Sequence, residues 1–82
     1  MRVRVPEPLA AYGGSAEVGG ETVAAALDAL FRIHPRLRPR VLDARGALLP
    51  HLLLFRNGAR AALHDGAGPG DEIEIFVAAE GG

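Results

Sequence analysis

Apolar and polar positions alternate with period two near both ends of the chain, and a period close to 3.6 appears once, between them. Met1, Val3 and Val5 fall on one face of the opening stretch and Arg2 and Arg4 on the other, the pattern of a half-buried strand. Pro6 and Pro8 stop it, and residues 7–14, closing on Gly13 and Gly14, read as a turn. Ser15 to Val18 is a short second strand with Ala16 and Val18 inward, so a hairpin opens the fold. Thr22 then stands at an N-cap position before Val23, Leu27, Leu30 and His34, whose spacing of four, three and four marks one face of a helix. Pro35 ends it, and Phe31 beside that face is expected to flank the core. The small side chains of Ala24, Ala25, Ala26 and Ala29 favour the helix and let it lie close to a sheet.

Between Arg32 and Arg45, Pro35 and Pro39 are expected to prevent a regular helix, leaving a loop anchored in the core by Val41 and Leu42. Gly46 marks a turn before Leu48 and Leu49. His51 to Arg56 is the most apolar strand, with Leu52 and Leu54 on one face and Leu53 and Phe55 on the other. A strand apolar on both faces is either covered on both or docks something. Asn57-Gly58 predicts a tight hairpin, with Ala59 to Leu63 returning and residues 64–70 forming another turn. Asp71 to Val77 is the last strand, with Ile73, Ile75 and Val77 inward and Glu72, Glu74 and Phe76 outward. The order ββαβββ predicts an α+β fold: a mixed sheet with one main helix on one face. After Val77 no bulky apolar side chain remains to be buried, so residues 78–82 are expected to leave the body as a flexible tail, with the domain spanning residues 1–77.

Composition narrows the chemistry. Eighty-two residues support one domain, burying roughly 60% of the surface its unfolded chain exposes. Cysteine is absent, which removes disulfides, thiolate ligands and a thiol nucleophile, so sulfur chemistry would have to come from a partner. All nine basic residues are arginine; with no lysine, no side chain can accept an isopeptide bond. The net charge of −1 gives no overall attraction to nucleic acid or anionic lipid, and no apolar run approaches a membrane span or a secretory leader. A cytoplasmic protein is the expectation.

Local clusters add little catalytic chemistry. Arg32, Arg36, Arg38, Arg40 and Arg45 stand against Asp43 without interleaved aromatics, and read as a solvated or partner-facing loop in preference to a nucleic-acid site. His34, His51 and His64 are scattered and lack cysteine partners, so no metal site is expected, and His34 suits the negative end of the helix. Ser15, the single serine, has no histidine and aspartate arranged around it. Asp71 and Glu72 adjoin on a strand and point apart, as an edge and solubility feature. Neither Gly13-Gly14 nor the glycines of residues 66–70 form a phosphate-binding fingerprint before a helix. The chain has the features of a substrate of catalysis and not of a catalyst.

The last two residues, Gly81 and Gly82, can adopt nearly any backbone conformation and pass through a slot as narrow as a bare backbone. At the chain's own glycine frequency, 11 of 82, chance places glycine at both with a probability of about 2%. The hairpin, the helix opening at Thr22 and Val23, the strand closing on Asn57-Gly58 and the PGDEIEIF run from Pro69 to Phe76 leading to Gly81-Gly82 together resemble the ubiquitin-like sulfur carriers of the MoaD/ThiS group. The likeness spans the chain and is most specific from Gly70 to Gly82. It is nearest to the small subunit of molybdopterin synthase or the cysteine-pathway carrier.

The resemblance implies a β-grasp fold with the first and last strands parallel at the sheet centre. It also implies a cycle in which an E1-like enzyme, consuming ATP, adenylates the Gly82 carboxylate. A sulfur donor then displaces AMP to leave a thiocarboxylate, and an acceptor enzyme takes up the tail. Gly82 carries the reacting carbonyl in that cycle and Gly81 lets it pass the constriction; no cofactor stays bound. Three positions depart from the group's pattern. Val77 stands where a proline usually begins the tail, the segment Ala59 to Gly70 is short, which puts the fourth strand in question, and Arg56 occupies a commonly apolar position, where it is expected to snorkel to the sheet edge.

If the last strand pairs with residues 51–56, then Leu53, Phe55 and Phe76 form one apolar patch on the open sheet face, rimmed by Arg2, Arg4, Glu72 and Glu74, as interfaces are built. Misjudged alternation would instead put these residues under the helix. Two other functional classes stay open: a ubiquitin-like modifier joined through Gly82 to lysines of targets, and a plain interaction module in which the glycines have no role.

Overall fold

The computed structural model describes residues 1–78. The opening alternation forms strand β1 (Arg2–Arg4), with Val3 fully buried and both arginines exposed. The expected turn that follows contains a short helix, α1 (Glu7–Ala10), with Pro8 in its first turn and Leu9 buried. Proline's fixed φ suits the start of a helix, where its missing N–H costs nothing, so Pro6 and Pro8 end the strand and also admit this turn. Strand β2 (Ala16–Glu17) pairs antiparallel with β1, and the pairing is prolonged by the Val18 N–H donating to the Met1 carbonyl at 2.7 Å.

Helix α2 (Val23–Ile33) starts where expected, and each of its first N–H groups finds an acceptor. Val23 donates to the Asp65 carbonyl (2.9 Å), Ala24 to that of Leu63 (2.8 Å), and Ala25 to the Thr22 hydroxyl (3.0 Å). Its buried face is Val23, Ala26, Leu27, Leu30 and Phe31. Phe31, 6% exposed, therefore lies in the core instead of flanking it. His34 forms the C-cap, where its own N–H reaches the Leu30 carbonyl. Gly13 presses so closely on His34 that an added Cβ would lie 2.4 Å from the histidine Cβ, so the α1–β2 connection requires glycine there.

The stretch expected to be an irregular loop is helical: a 3₁₀ turn over Pro35–Leu37 leads into α3 (Arg38–Val41). Pro35 and Pro39 each occupy a first-turn position, so both begin helical turns instead of preventing them. Leu37, Val41 and Leu42 are buried against the main core.

Strand β3 (Leu52–Arg56) turns at Asn57 and Gly58, with φ of 51° and 86°, into β4 (Ala59–Ala61), and β5 (Glu72–Val77) follows. Two successive positive φ angles are what a two-residue hairpin turn demands. The fourth strand is present but ends earlier than expected, because the chain beyond Ala61 turns its Leu63 and Asp65 carbonyls to the start of α2.

The sheet order is β2-β1-β5-β3-β4, with β1 and β5 parallel and the other pairings antiparallel. This is the β-grasp arrangement, one helix-covered face on a mixed five-stranded sheet. Val3, Leu27, Leu30, Leu54, Ile73 and Ile75 are essentially inaccessible and build the layer between helix and sheet. Each contributes roughly 1.5–3 kcal/mol of transfer free energy before chain entropy is deducted. Val77, expected inward, is 37% exposed: one alternation past Ile75, it projects beyond the end of the buried layer.

Asp71 does more than the edge role expected of it. Its carboxylate accepts from the Asn57 side-chain amide and from the Gly68 N–H, both at 2.9 Å, while Asn57 in turn accepts from the Glu72 N–H at 2.9 Å. Arg56 lies 3.9 Å from the same carboxylate and donates to the Gly66 carbonyl, reaching the sheet edge as a snorkelling side chain does. The Asn57 amide first, then the Gly68 N–H, hold the Asp71 carboxyl below the ordinary carboxylate range, with smaller help from Arg56 and the α-amino group against partial desolvation. The folded state thus binds the Asp71 proton less readily than the unfolded chain. Its stabilisation is complete above about pH 4 and is lost as pH falls through the lowered folded value. Asp71→Asn is expected to flatten the acid limb of a stability-against-pH curve from denaturant titrations, while stability at pH 7 falls modestly.

Candidate partner-binding surface

Register decides which side chains share the open face. Leu53 lies opposite Phe76, and Glu74 lies between Phe55 and Arg4. Arg60 faces Phe55 from β4, and Arg2 sits between Glu17 and Glu72. One pleat away, Leu52 and Leu54 pair with Val77 and Ile75 on the helix side. Leu53 and Phe55 are half-buried and Phe76 is 41% exposed, so none of the three lies under α2.

Phe55 and Phe76 meet diagonally across the β3–β5 ladder, with ring centroids 4.8 Å apart and planes tilted by 41°. Such a pair adds about 0.5–1.5 kcal/mol beyond its buried area. Around them, Arg4 approaches Glu72 at 3.5 Å and Arg2 approaches Glu17 at 3.4 Å. These pairs are solvent-exposed and contribute little to stability, but they leave a charged rim beside an apolar centre.

A groove of about 310 Å³ runs beside this patch, lined by Val5, Pro6, Pro8, Phe76 and Val77, with Arg4 and Glu74 at its polar side. Sequence alternation did not reveal the groove, because its walls come from opposite ends of the chain. The parallel β1–β5 pairing brings them together. The Ala78 N–H donates to the His51 carbonyl at 2.8 Å, so the ladder continues one residue past Val77. Gly81 and Gly82 lie outside the described residues.

No group of three or more potential metal ligands occurs among the described residues. The three histidines therefore do not assemble there. The Ser15 hydroxyl accepts from the Val5 N–H at 2.9 Å, a strand-bracing contact. Among the described residues, no helix is long and apolar enough to cross a membrane.

The chain is 44% identical over 64 residues to small archaeal modifier protein 1 of Haloferax volcanii, covering 78% of this chain and 74% of that relative. It belongs to the ubiquitin-like sulfur-carrier group of the MoaD/ThiS type. A crystal structure of the Haloferax volcanii protein superposes on this ubiquitin-like domain with a TM-score of 0.82 at 36% identity, over 99% of this chain and 97% of that one. The Amycolatopsis orientalis BexX/CysO complex gives a TM-score of 0.86 at 23% identity, over 99% and 98% of the two chains. Mycobacterium tuberculosis CysO gives 0.85 at 21%, over 95% and 98%. At those identities the last two likenesses bear on the fold alone. No family model matches the chain.

Proposed function

We propose that this protein is a sulfur carrier whose Gly82 carboxylate is activated by an E1-like enzyme and converted to a thiocarboxylate. The supporting observation is the junction at the end of β5. There the Leu53–Phe55–Phe76 patch, its charged rim and the adjacent groove stand at the point from which the chain continues toward Gly81 and Gly82. In this reading the body docks on its partner through Leu53, Phe55 and Phe76, and the residues after Ala78, whose N–H still belongs to the sheet ladder, enter the partner's active site.

The chemistry explains the division of labour. A carboxylate resists nucleophiles because its charge is spread over two oxygens, so the partner joins it to AMP from ATP and releases pyrophosphate. Hydrosulfide released by a sulfur donor then attacks the carbonyl; the C–S bond forms as the bond to AMP breaks, AMP leaves, and the S–H proton passes to solvent. The resulting thiocarboxylate is an anionic sulfur nucleophile for an acceptor enzyme in a biosynthetic pathway such as molybdopterin or cysteine formation. The chain supplies the acyl group and the docking surface, ATP is consumed by the partner, and no cofactor stays on the carrier.

The name of the 44%-identical relative, a modifier protein, favours a second reading: the same adenylate resolves into an amide with lysines of target proteins. Denaturing immunoblots of cells expressing the tagged chain separate the two. A carrier runs almost wholly as the free species, whereas a modifier gives a ladder of larger conjugates that disappears when Gly82 is blocked. Because the chain contains no lysine, such a ladder would reflect different targets and not a polymer built through this chain's own side chains.

A further inference from the structure

Arg32, Arg36, Arg38, Arg40 and Arg45 share their stretch with one acidic residue, Asp43, while the rest of the chain carries four arginines against nine acidic residues. Charge is therefore strongly segregated although the net value is near zero. The three ion pairs made by arginine among the described residues involve Arg2, Arg4 and Arg56. None of the five clustered guanidinium groups is in an ion pair or a hydrogen bond there.

Two of the five are held in place. The Arg40 guanidinium lies 4.2 Å and that of Arg36 5.7 Å from the centroid of the Tyr12 ring. The helical turn from the 3₁₀ segment into α3 puts these residues, four apart, on one side, and the α1–β2 connection brings Tyr12 to them. A cation–π contact pairs none of a guanidinium's N–H groups with an acceptor, and those free donors match a carboxylate with two parallel hydrogen bonds. Holding the groups beforehand lowers the ordering cost of a partner's arrival.

We propose that the Arg36–Tyr12–Arg40 cluster is a docking surface for a carboxylate-rich segment of a partner protein. A nucleic acid fits less well. The molecule measures 35 × 26 × 24 Å, and outside the cluster the chain carries nine acidic residues against four arginines, so a long polyanion running past the cluster lies directly on surface of its own sign. The Tyr12 ring is already occupied by guanidinium groups and is not offered to a base. A short acidic protein segment ends where the cluster ends and avoids that repulsion. This surface lies outside the Leu53–Phe55–Phe76 patch, and its occupancy does not depend on the chemistry at Gly82.

The test is a titration of the ¹⁵N-labelled full chain with an octaglutamate peptide, at low and physiological salt, followed by backbone amide shifts. The expected result is a response centred on Tyr12 and residues 36–40 that weakens with salt. Arg36→Ser/Arg40→Ser should bind about tenfold or more weakly, and Arg2→Ser/Arg4→Ser, with the same change of charge, within about twofold of the parent. Arg36→Lys/Arg40→Lys retains charge and ring contact but loses the planar fork, and should fall between them, which guards against misfolding of the serine variant. Equal weakening by both serine pairs, shifts centred elsewhere, or tighter binding of an octauridine RNA than of the peptide would overturn the proposal.

Discussion

Adding a single residue after Gly82 is expected to abolish activation, cutting the rate of ATP–pyrophosphate exchange by a cognate E1-like enzyme by at least about a hundredfold. The reacting carbonyl would be displaced by one residue from the position the adenylate requires, and misplacement of even an ångström is costly when catalysis depends on alignment. Nothing in the folded body should change, because the described core ends at Ile75 and the last described ladder bond is made by Ala78. Thermal unfolding of the extended chain should therefore match the parent. Gly81→Val probes the same constriction through a β-branched side chain and should lower the exchange rate with stability again retained. An extended chain activated at the parental rate would remove Gly82 from the mechanism and favour the interaction-module reading.

The second large effect separates two neighbours on β5. Phe76→Glu places a charge at the centre of the open-face patch and should weaken partner binding by about 2 kcal/mol or more, near thirtyfold, as loss of a central aromatic anchor does. Its cost to folding is the Phe55 ring contact, about 1 kcal/mol, together with the covered part of the ring's area, and it stays below that of a core truncation because the side chain is already 41% exposed. Ile75→Ala should behave the opposite way. Ile75 is fully buried between sheet and helix, and its truncation should cost about 2–5 kcal/mol of a total that for a domain of this kind is about 5–15 kcal/mol. Calorimetric denaturation and a pull-down with the activating enzyme, run on both variants, distinguish surface from core. Unfolding of the Phe76 variant, or full binding by it, would contradict the assignment of this face.

Both assignments rest on alternation, and alternation is where the sequence was most legible. Period two in Glu72–Val77 and Leu52–Arg56 fixes which side of the sheet each residue faces once the strands pair in register. The Asn57-Gly58 turn and the Thr22 cap were readable because each is a local chemical requirement. Val77 shows the limit of the same rule. Period two assigns a face, but whether that face is covered depends on where the buried layer stops, which is a tertiary property. The prolines between Arg32 and Arg45 misled in another way. Proline excludes helix interiors and suits helix starts, and only the backbone around Pro35 and Pro39 reveals which applies.

The groove and the arginine cluster around Tyr12 were hidden for related reasons. Val5, Pro6 and Pro8 meet Phe76 and Val77 only through the parallel β1–β5 pairing. Tyr12 meets Arg36 and Arg40 only because the turn after Pro35 is helical. A reading of Pro35 and Pro39 as helix starts would have exposed the four-residue spacing of Arg36 and Arg40. Asp71 was legible as polar and exposed, yet its role depends on Asn57 fifteen residues before Glu72, which the β3–β5 register brings alongside.

The most direct test of the carrier mechanism is the intact mass of the free chain after incubation with ATP, its E1-like partner and a sulfur donor. Replacement of one oxygen by sulfur, localised by fragmentation to Gly82 and dependent on ATP, is the predicted result. An unchanged mass in a reaction that consumes ATP and attaches the chain to lysines of added proteins would contradict it.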